Sequence, residues 1–123
     1  MRWLDRRIAA PGPYLALCLT DKKYRRAMKH CGIAHPPPWL NDGADATMHT
    51  LMKPDGSVAC VVCLRSTDHS PVEVAGLLIH EAVHVWQEYC LRIGEKYPAN
   101  EQMAYGIQSI AQELMAEYER LTK

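Results

Sequence analysis

Residues 70–94 decide the fold, and they read SPVEVAGLLIHEAVHVWQEYCLRIG. The stretch opens with a capping serine, a proline at the first helical position and Glu73, which completes a Ser-x-x-Glu capping box. Gly94 ends the stretch, and glycine favours the left-handed conformation that closes helices. These start and stop signals predict a helix over residues 71–92.

Apolar residues cover most of the circumference of this helix, so we expect it to be buried. Six polar side chains fall within an arc of about 120° that Leu77 and Leu91 interrupt, and they are Glu73, His80, Glu81, His84, Gln87 and Glu88. A polar stripe on a core helix needs partners, because unpaired buried polar groups are costly. A metal ion in a cleft would provide such partners.

The stripe contains the pattern H-E-x-x-H, formed by His80, Glu81 and His84. Two residues four apart on a helix lie about 40° apart around the axis and about 6 Å along it, so both imidazoles can reach one zinc ion. Glu81 then lies beside the metal, where a general base for a water molecule has to be. The alternative is that both histidines are ordinary core or interface residues that hydrogen-bond to their neighbours.

Two histidines leave a catalytic zinc ion short of its third protein ligand. Glu88 would be about 12 Å along the helix axis from His80, which is too far to share the same ion. His69 precedes the helix and would lie at the end of it that is remote from the two histidines. Glu101 follows His84 by 17 residues, in the first turn of the next predicted helix, and is the preferred candidate. The alternative for Glu101 is a glutamate that complements the helix dipole.

The rest of the chain supplies a small sheet and two more helices. An apolar run over 14–19 predicts a strand, and a basic segment that starts after Thr20 and continues to His30 predicts a helix. Thr- and Val-rich runs over 46–52 and 57–65, separated by Lys53-Pro54-Asp55-Gly56, predict a β-hairpin. A final helix is expected over 100–121. The predicted fold is therefore α+β, with a small antiparallel sheet in the order β-α-β-β-α-α and a single domain over 1–123.

Composition narrows the class of protein. The 123 residues are 48% hydrophobic and 23% charged, which is typical of one globular domain. Lys plus Arg and Asp plus Glu both number 14, so no charge excess indicates nucleic acid as a partner. No run of eighteen apolar residues is present, so we expect no membrane partner, and the Pro11-Gly12-Pro13 break argues against a signal peptide.

Two weaker patterns have simple explanations. Five cysteines, an odd number set in apolar segments, predict reduced core thiols of a cytoplasmic protein, and Cys60 and Cys63 should point to opposite faces of one strand. The basic residues of the 21–30 segment could meet nucleic acid or an acidic partner, but a solvated helix face explains them as well and is preferred.

The chain resembles the zincin metallopeptidases in its motif His80-Glu81-Ala82-Val83-His84. Asn100-Glu101 followed by Ala104-Tyr105 is similar to the gluzincin arrangement, in which a glutamate on the helix after the motif helix is the third zinc ligand. More loosely, His84-Val85-Trp86-Gln87 with Gly94-Glu95, and Glu101 through Ile107-Gln108, resemble short H-E-x-x-H proteins of phages and prophages. The chain departs from larger zincins in its brevity, and it lacks the H-x-x-G-x-x-H continuation of metzincins.

The resemblance implies a minimal zincin-like domain that cleaves a peptide or protein substrate. Zinc would be held by His80, His84 and Glu101, and Glu81 would take a proton from the attacking water. Tyr105 would donate to the oxyanion, although a core tyrosine is an equal alternative. The strand over 57–65 would take the place of the edge strand that pairs with an extended peptide in zincins.

Two other functions stay open. One is a catalytically silent, zinc-stabilised phage structural or interaction module, and the other is a zinc hydrolase of non-peptide amides, which would share every site residue. The oligomeric state is left open.

Overall fold

A computed structural model describes residues 3–4 and 14–123. Its elements are β1 (Tyr14–Cys18), α1 (Asp21–His30), β2 (Ala46–Met52), β3 (Val58–Leu64), α2 (Pro71–Ile93) and α3 (Asn100–Thr122). The fold is α+β, with three strands and three helices in the described residues. The expectation about a leader at Pro11-Gly12-Pro13 lies outside them.

The ends of α2 follow the capping signals of the sequence. The Ser70 hydroxyl accepts from the Glu73 amide at 3.2 Å, and the Glu73 carboxylate accepts from the Ser70 amide at 2.7 Å. At the other end Gly94 is left-handed, with φ 75°, and its N–H contacts the last carbonyls of the helix. The predicted motif helix is therefore confirmed, and it ends one residue later than expected.

The sheet is mixed, so the prediction of an antiparallel sheet is wrong. β2 and β3 form the expected antiparallel hairpin, with His49 opposite Val61, but β1 runs parallel to β3, with Ala16 opposite Val61. A parallel pair needs a long crossover connection, and α1 with the residues after it provides one.

The strand order is β1-β3-β2, so β3 is the central strand. The expectation that residues 57–65 form a free edge is therefore wrong. All of β3 except Val58 is buried, and a strand buried on both faces reads as a continuous apolar run instead of an alternating one. β2 is at the edge next to the motif helix.

Two hydrophobic clusters lie on opposite faces of the sheet, which gives three layers. One cluster joins Cys60, Val62 and Leu64 to α2 and α3. The other joins Val61 and Cys63 to α1. Cys60 and Cys63 thus point to opposite faces, as expected, and all five cysteines are buried free thiols.

The two long helices run antiparallel on the same face of the sheet. Trp86 of α2 packs directly against Gly106 of α3, where a Cβ atom would meet the Trp86 ring. Met103 lies by Trp86, and Met115 lies by Val74, so the start of α3 is level with the end of α2.

The outer face of α1 carries exposed cations, namely Lys22, Lys23, Arg25, Arg26 and Lys29. Arg25 pairs with Asp21 at 3.1 Å. Across residues 3–4 and 14–123, none of the helices combines the length and the apolar character that crossing a bilayer requires.

Candidate functional site

His80 and His84 lie side by side on the exposed flank of α2. Their Nε2 atoms are 3.3 Å apart, and the ring centroids are 5.0 Å apart with an angle of 69° between the ring planes. Both side chains are exposed, and only seven of the 23 residues of α2 are buried, so the expectation that most of its circumference is buried is wrong. The structure therefore brings the first two predicted ligands together, with the same nitrogen of each ring directed at the other.

The separation of the two nitrogens fits a shared zinc ion. Two nitrogen ligands of a tetrahedral zinc site, each with a bond near 2.0 to 2.1 Å, are about 3.3 to 3.4 Å apart. A hydrogen bond between nitrogens at 3.3 Å would be longer than the usual range. The pair thus has the spacing of metal ligands without any change of rotamer.

Gln87 contacts the other side of the His84 ring. Its Oε1 atom is 3.1 Å from His84 Nδ1. A carbonyl oxygen can only accept, so Nδ1 carries the proton in this arrangement and Nε2 presents its lone pair towards His80. Gln87 belongs to the polar stripe that the sequence predicts but had no predicted role there, although a glutamine three residues after a histidine on a helix was the available signal.

Glu81 lies next to the pair but is directed into the protein. Its residue is only 5% exposed. Burial raises the pKa of the Glu81 carboxyl, and the neighbouring His84, His80 and His49 oppose that rise. A carboxylate with a raised pKa close to a candidate metal site has the properties of a general base.

Helix α2 packs against the edge strand β2 as well as against β3. His49 on β2 is near enough to affect the pKa of Glu81. Its Nε2–H donates to the Trp39 carbonyl at 2.9 Å, and its ring is 4.8 Å from the Tyr24 ring. His49 therefore anchors the loop before β2, a role that sequence analysis missed because strand alternation does not reveal loop contacts.

The structure does not bring Glu101 to the histidines. Trp86, which faces α3, is two residues after His84 and hence about 160° away around the helix axis. Helix α3 therefore packs on the side of α2 that is remote from His84. Glu101 is exposed in the first turn of α3, where it also fits the helix-dipole alternative.

Tyr105 is on the same helix as Glu101 and is 65% exposed. The alternative of a core tyrosine is therefore wrong. Its role as an oxyanion donor stays a prediction, although α3 packs across α2 from the histidines.

The other two candidates for a third metal ligand, Glu88 and His69, contact charged residues outside the histidine pair. Glu88 Oε1 accepts a hydrogen bond from Arg92 Nε at 2.8 Å and forms an ion pair with Arg92 Nη2 at 2.7 Å. His69 lies 3.6 Å from the Asp45 carboxylate, before the start of α2. Within the described part of the chain, no three His, Cys, Asp or Glu side chains converge in a way that could hold a metal ion.

Comparison with protein-family models, with curated proteins and with solved structures finds no match for this chain.

Proposed function

We propose that the protein is a zinc-dependent metallopeptidase that uses His80 and His84 as metal ligands and Glu81 as general base. The observation that carries the proposal is the 3.3 Å separation of the two Nε2 atoms, with a buried carboxylate at the residue between them. Zinc bound there would polarise a carbonyl group and lower the pKa of a water molecule.

The two histidines and Glu81 would have different roles in the reaction. His80 and His84 would fix the ion on the exposed flank, where substrate has access. Glu81 would accept the proton of the attacking water and return it to the leaving amine. Burial supports this role, because a carboxyl of raised pKa is a better proton acceptor than an ordinary one.

β2 is the strand that would hold an extended peptide. Among the described strands it pairs only with β3, so its outer edge is available for another strand. Thr50 and Met52 are exposed along β2. Pairing of a peptide with an edge strand uses backbone hydrogen bonds that do not depend on sequence, which suits a peptidase.

An exposed pair of ligands argues against the silent, zinc-stabilised module. Structural zinc sites are closed by four protein ligands, whereas catalytic sites have three and keep a position open to water or substrate, so two exposed histidines are nearer to a catalytic site. A hydrolase of non-peptide amides would use the same residues, so only substrates separate it from a peptidase.

The test combines metal analysis with turnover. Zinc-loaded wild-type protein and Glu81→Gln would be incubated with unstructured peptides, with cell-wall peptides and with acetylated lysine substrates, and products would be identified by mass spectrometry. We expect new peptide termini with the wild type, loss of all activity on chelation, and a rate about 100-fold to 10,000-fold lower for Glu81→Gln. Zinc content should be equal in the two proteins.

Three outcomes would count against the proposal. Equal rates for the wild type and Glu81→Gln would remove Glu81 from the mechanism. Release of acetate without new peptide termini would favour the amide hydrolase. Bound zinc without any turnover would favour the silent module.

A further inference from the structure

Metal binding by a histidine pair depends on which ring nitrogen of each histidine carries the proton. Neutral imidazole has one N–H and one lone pair, and only the nitrogen with the lone pair can bind a metal ion. His80 and His84 present the same nitrogen, Nε2, to the space between them. Both rings must therefore carry their proton on Nδ1 when the ion is bound.

The Nδ1 atoms of the two rings differ in their hydrogen-bond partners. His84 Nδ1 faces Gln87 Oε1 at 3.1 Å, whereas His80 Nδ1 has no hydrogen-bond partner within residues 3–4 and 14–123. An acceptor at Nδ1 favours the tautomer with the proton on that nitrogen. His84 is thus held in the metal-binding tautomer before the ion binds. The tautomer of His80 is not fixed in this way and can change when the ion binds.

Gln87 has the placement for this task, and it also lines a cavity with Trp86 of α2 and Met103 of α3. It is exposed on α2, one turn after His84, and His84 is its only side-chain hydrogen-bond partner in the described part of the chain. Residues three apart on a helix are neighbours, so the contact needs no help from another element.

We propose that Gln87 is a positioning residue of the metal pair, whose side-chain carbonyl holds His84 in the tautomer with its proton on Nδ1 and directs the Nε2 lone pair at the metal position. This inference rests on the proposed zinc site. It adds a residue to that site, and it extends the motif to H-E-x-x-H-x-x-Q.

The experiment compares Gln87→Met, which keeps the size and removes the acceptor, with Gln87→Glu, which keeps an acceptor. Gln112→Met on the exposed face of α3 is the matched control. Zinc affinity would be measured by competition with a chromophoric chelator, and ring tautomers by long-range ¹H–¹⁵N spectra of the metal-free proteins. Circular dichroism would show that each variant is folded.

We expect Gln87→Met to bind zinc 10-fold to 100-fold more weakly than the wild type, and Gln87→Glu and Gln112→Met to stay within about 3-fold of it. In metal-free wild type the His84 ring should carry its proton on Nδ1, and in Gln87→Met it should shift towards the other tautomer.

Equal zinc affinity for Gln87→Met and wild type would overturn the inference and leave the zinc site intact. A wild-type His84 ring protonated on Nε2 would also overturn it, because Gln87 would then donate its amide instead. Absence of zinc binding by the wild type is a separate result, which defeats the proposed function and this inference with it.

Discussion

The two flanks of α2 differ in what determines their geometry. On one flank His80 and His84 meet, and their separation is set by four residues of a single helix. On the other flank Trp86 packs against Gly106, and that contact depends on how a second helix docks. The meeting of the two imidazoles on the first flank could be predicted from the sequence, whereas the helix contact on the second flank could not.

The difference matters for the chemistry. Each residue that the structure brings to the histidines from their own helix, Glu81 and Gln87, follows from local spacing. The residues that were expected from α3, Glu101 and Tyr105, lie across α2 because α3 docks on the flank that carries Trp86. Substitutions on each flank test whether the two flanks are as independent as the geometry indicates.

The largest effect is expected on the histidine flank. His84→Ala should weaken zinc binding on the order of 100-fold or more, because it removes one of the two candidate ligands that the structure brings together. The measurement is chelator competition, together with the zinc-dependent rise in melting temperature, which should disappear.

His35→Ala is the matched control, since His35 is an exposed loop histidine before β2. It should leave zinc affinity unchanged. If both variants bind zinc as the wild type does, the 3.3 Å pair is an ordinary contact between two surface rings and the flank has no metal.

Local signals also account for most of the fold that was predicted. The capping box at Ser70 and the left-handed Gly94 set the ends of α2, and both depend on neighbours within a few residues. The hairpin was readable because its turn has a proline and a glycine between two β-rich runs. The parallel pairing of β1 was not readable, because it depends on the crossover through α1.

The apolar face of α3 shows the same limit. Ile110 and Leu114 are buried at helical spacing, as a periodic pattern predicts, but so are Gly106 and Glu117. Gly106 is buried because the Trp86 ring occupies the space of its missing side chain. Glu117 is buried and accepts two hydrogen bonds of 2.7 Å from the exposed Arg120. The hydrophobic pattern of the sequence does not predict that Gly106 and Glu117 are buried.

A smaller effect is expected on the flank that faces α3. Gly106→Ala should lower the free energy of unfolding by about 1 to 3 kcal/mol, because its Cβ atom would overlap the buried Trp86 ring and the helices would have to separate. Denaturant titration measures the loss. Zinc affinity of the folded protein should stay unchanged, since the histidines are on the other side of α2.

Gly76→Ala is the contrasting variant on α2. A Cβ atom there meets nothing within 4 Å, and alanine favours helix more than glycine does, so stability should rise by about 0.5 to 1 kcal/mol. A loss of zinc affinity in Gly106→Ala, with none in Gly76→Ala, would mean that the two flanks are coupled through Trp86.

The smallest effect on zinc affinity is expected for Glu101→Gln. This variant decides whether Glu101 is a zinc ligand or a glutamate that complements the helix dipole of α3. Glu101 is exposed in the first turn of the helix and lies across α2 from His84, so zinc affinity should change by less than about 2-fold. Loss of a surface charge near a helix N-terminus should cost only about 0.3 to 1 kcal/mol of stability, measured by denaturant titration. A fall in zinc affinity as large as that of His84→Ala would instead show that the start of α3 moves to the metal when the ion binds. The gluzincin arrangement would then form only in the loaded protein, and the docking of Gly106 on Trp86 would have to give way for it.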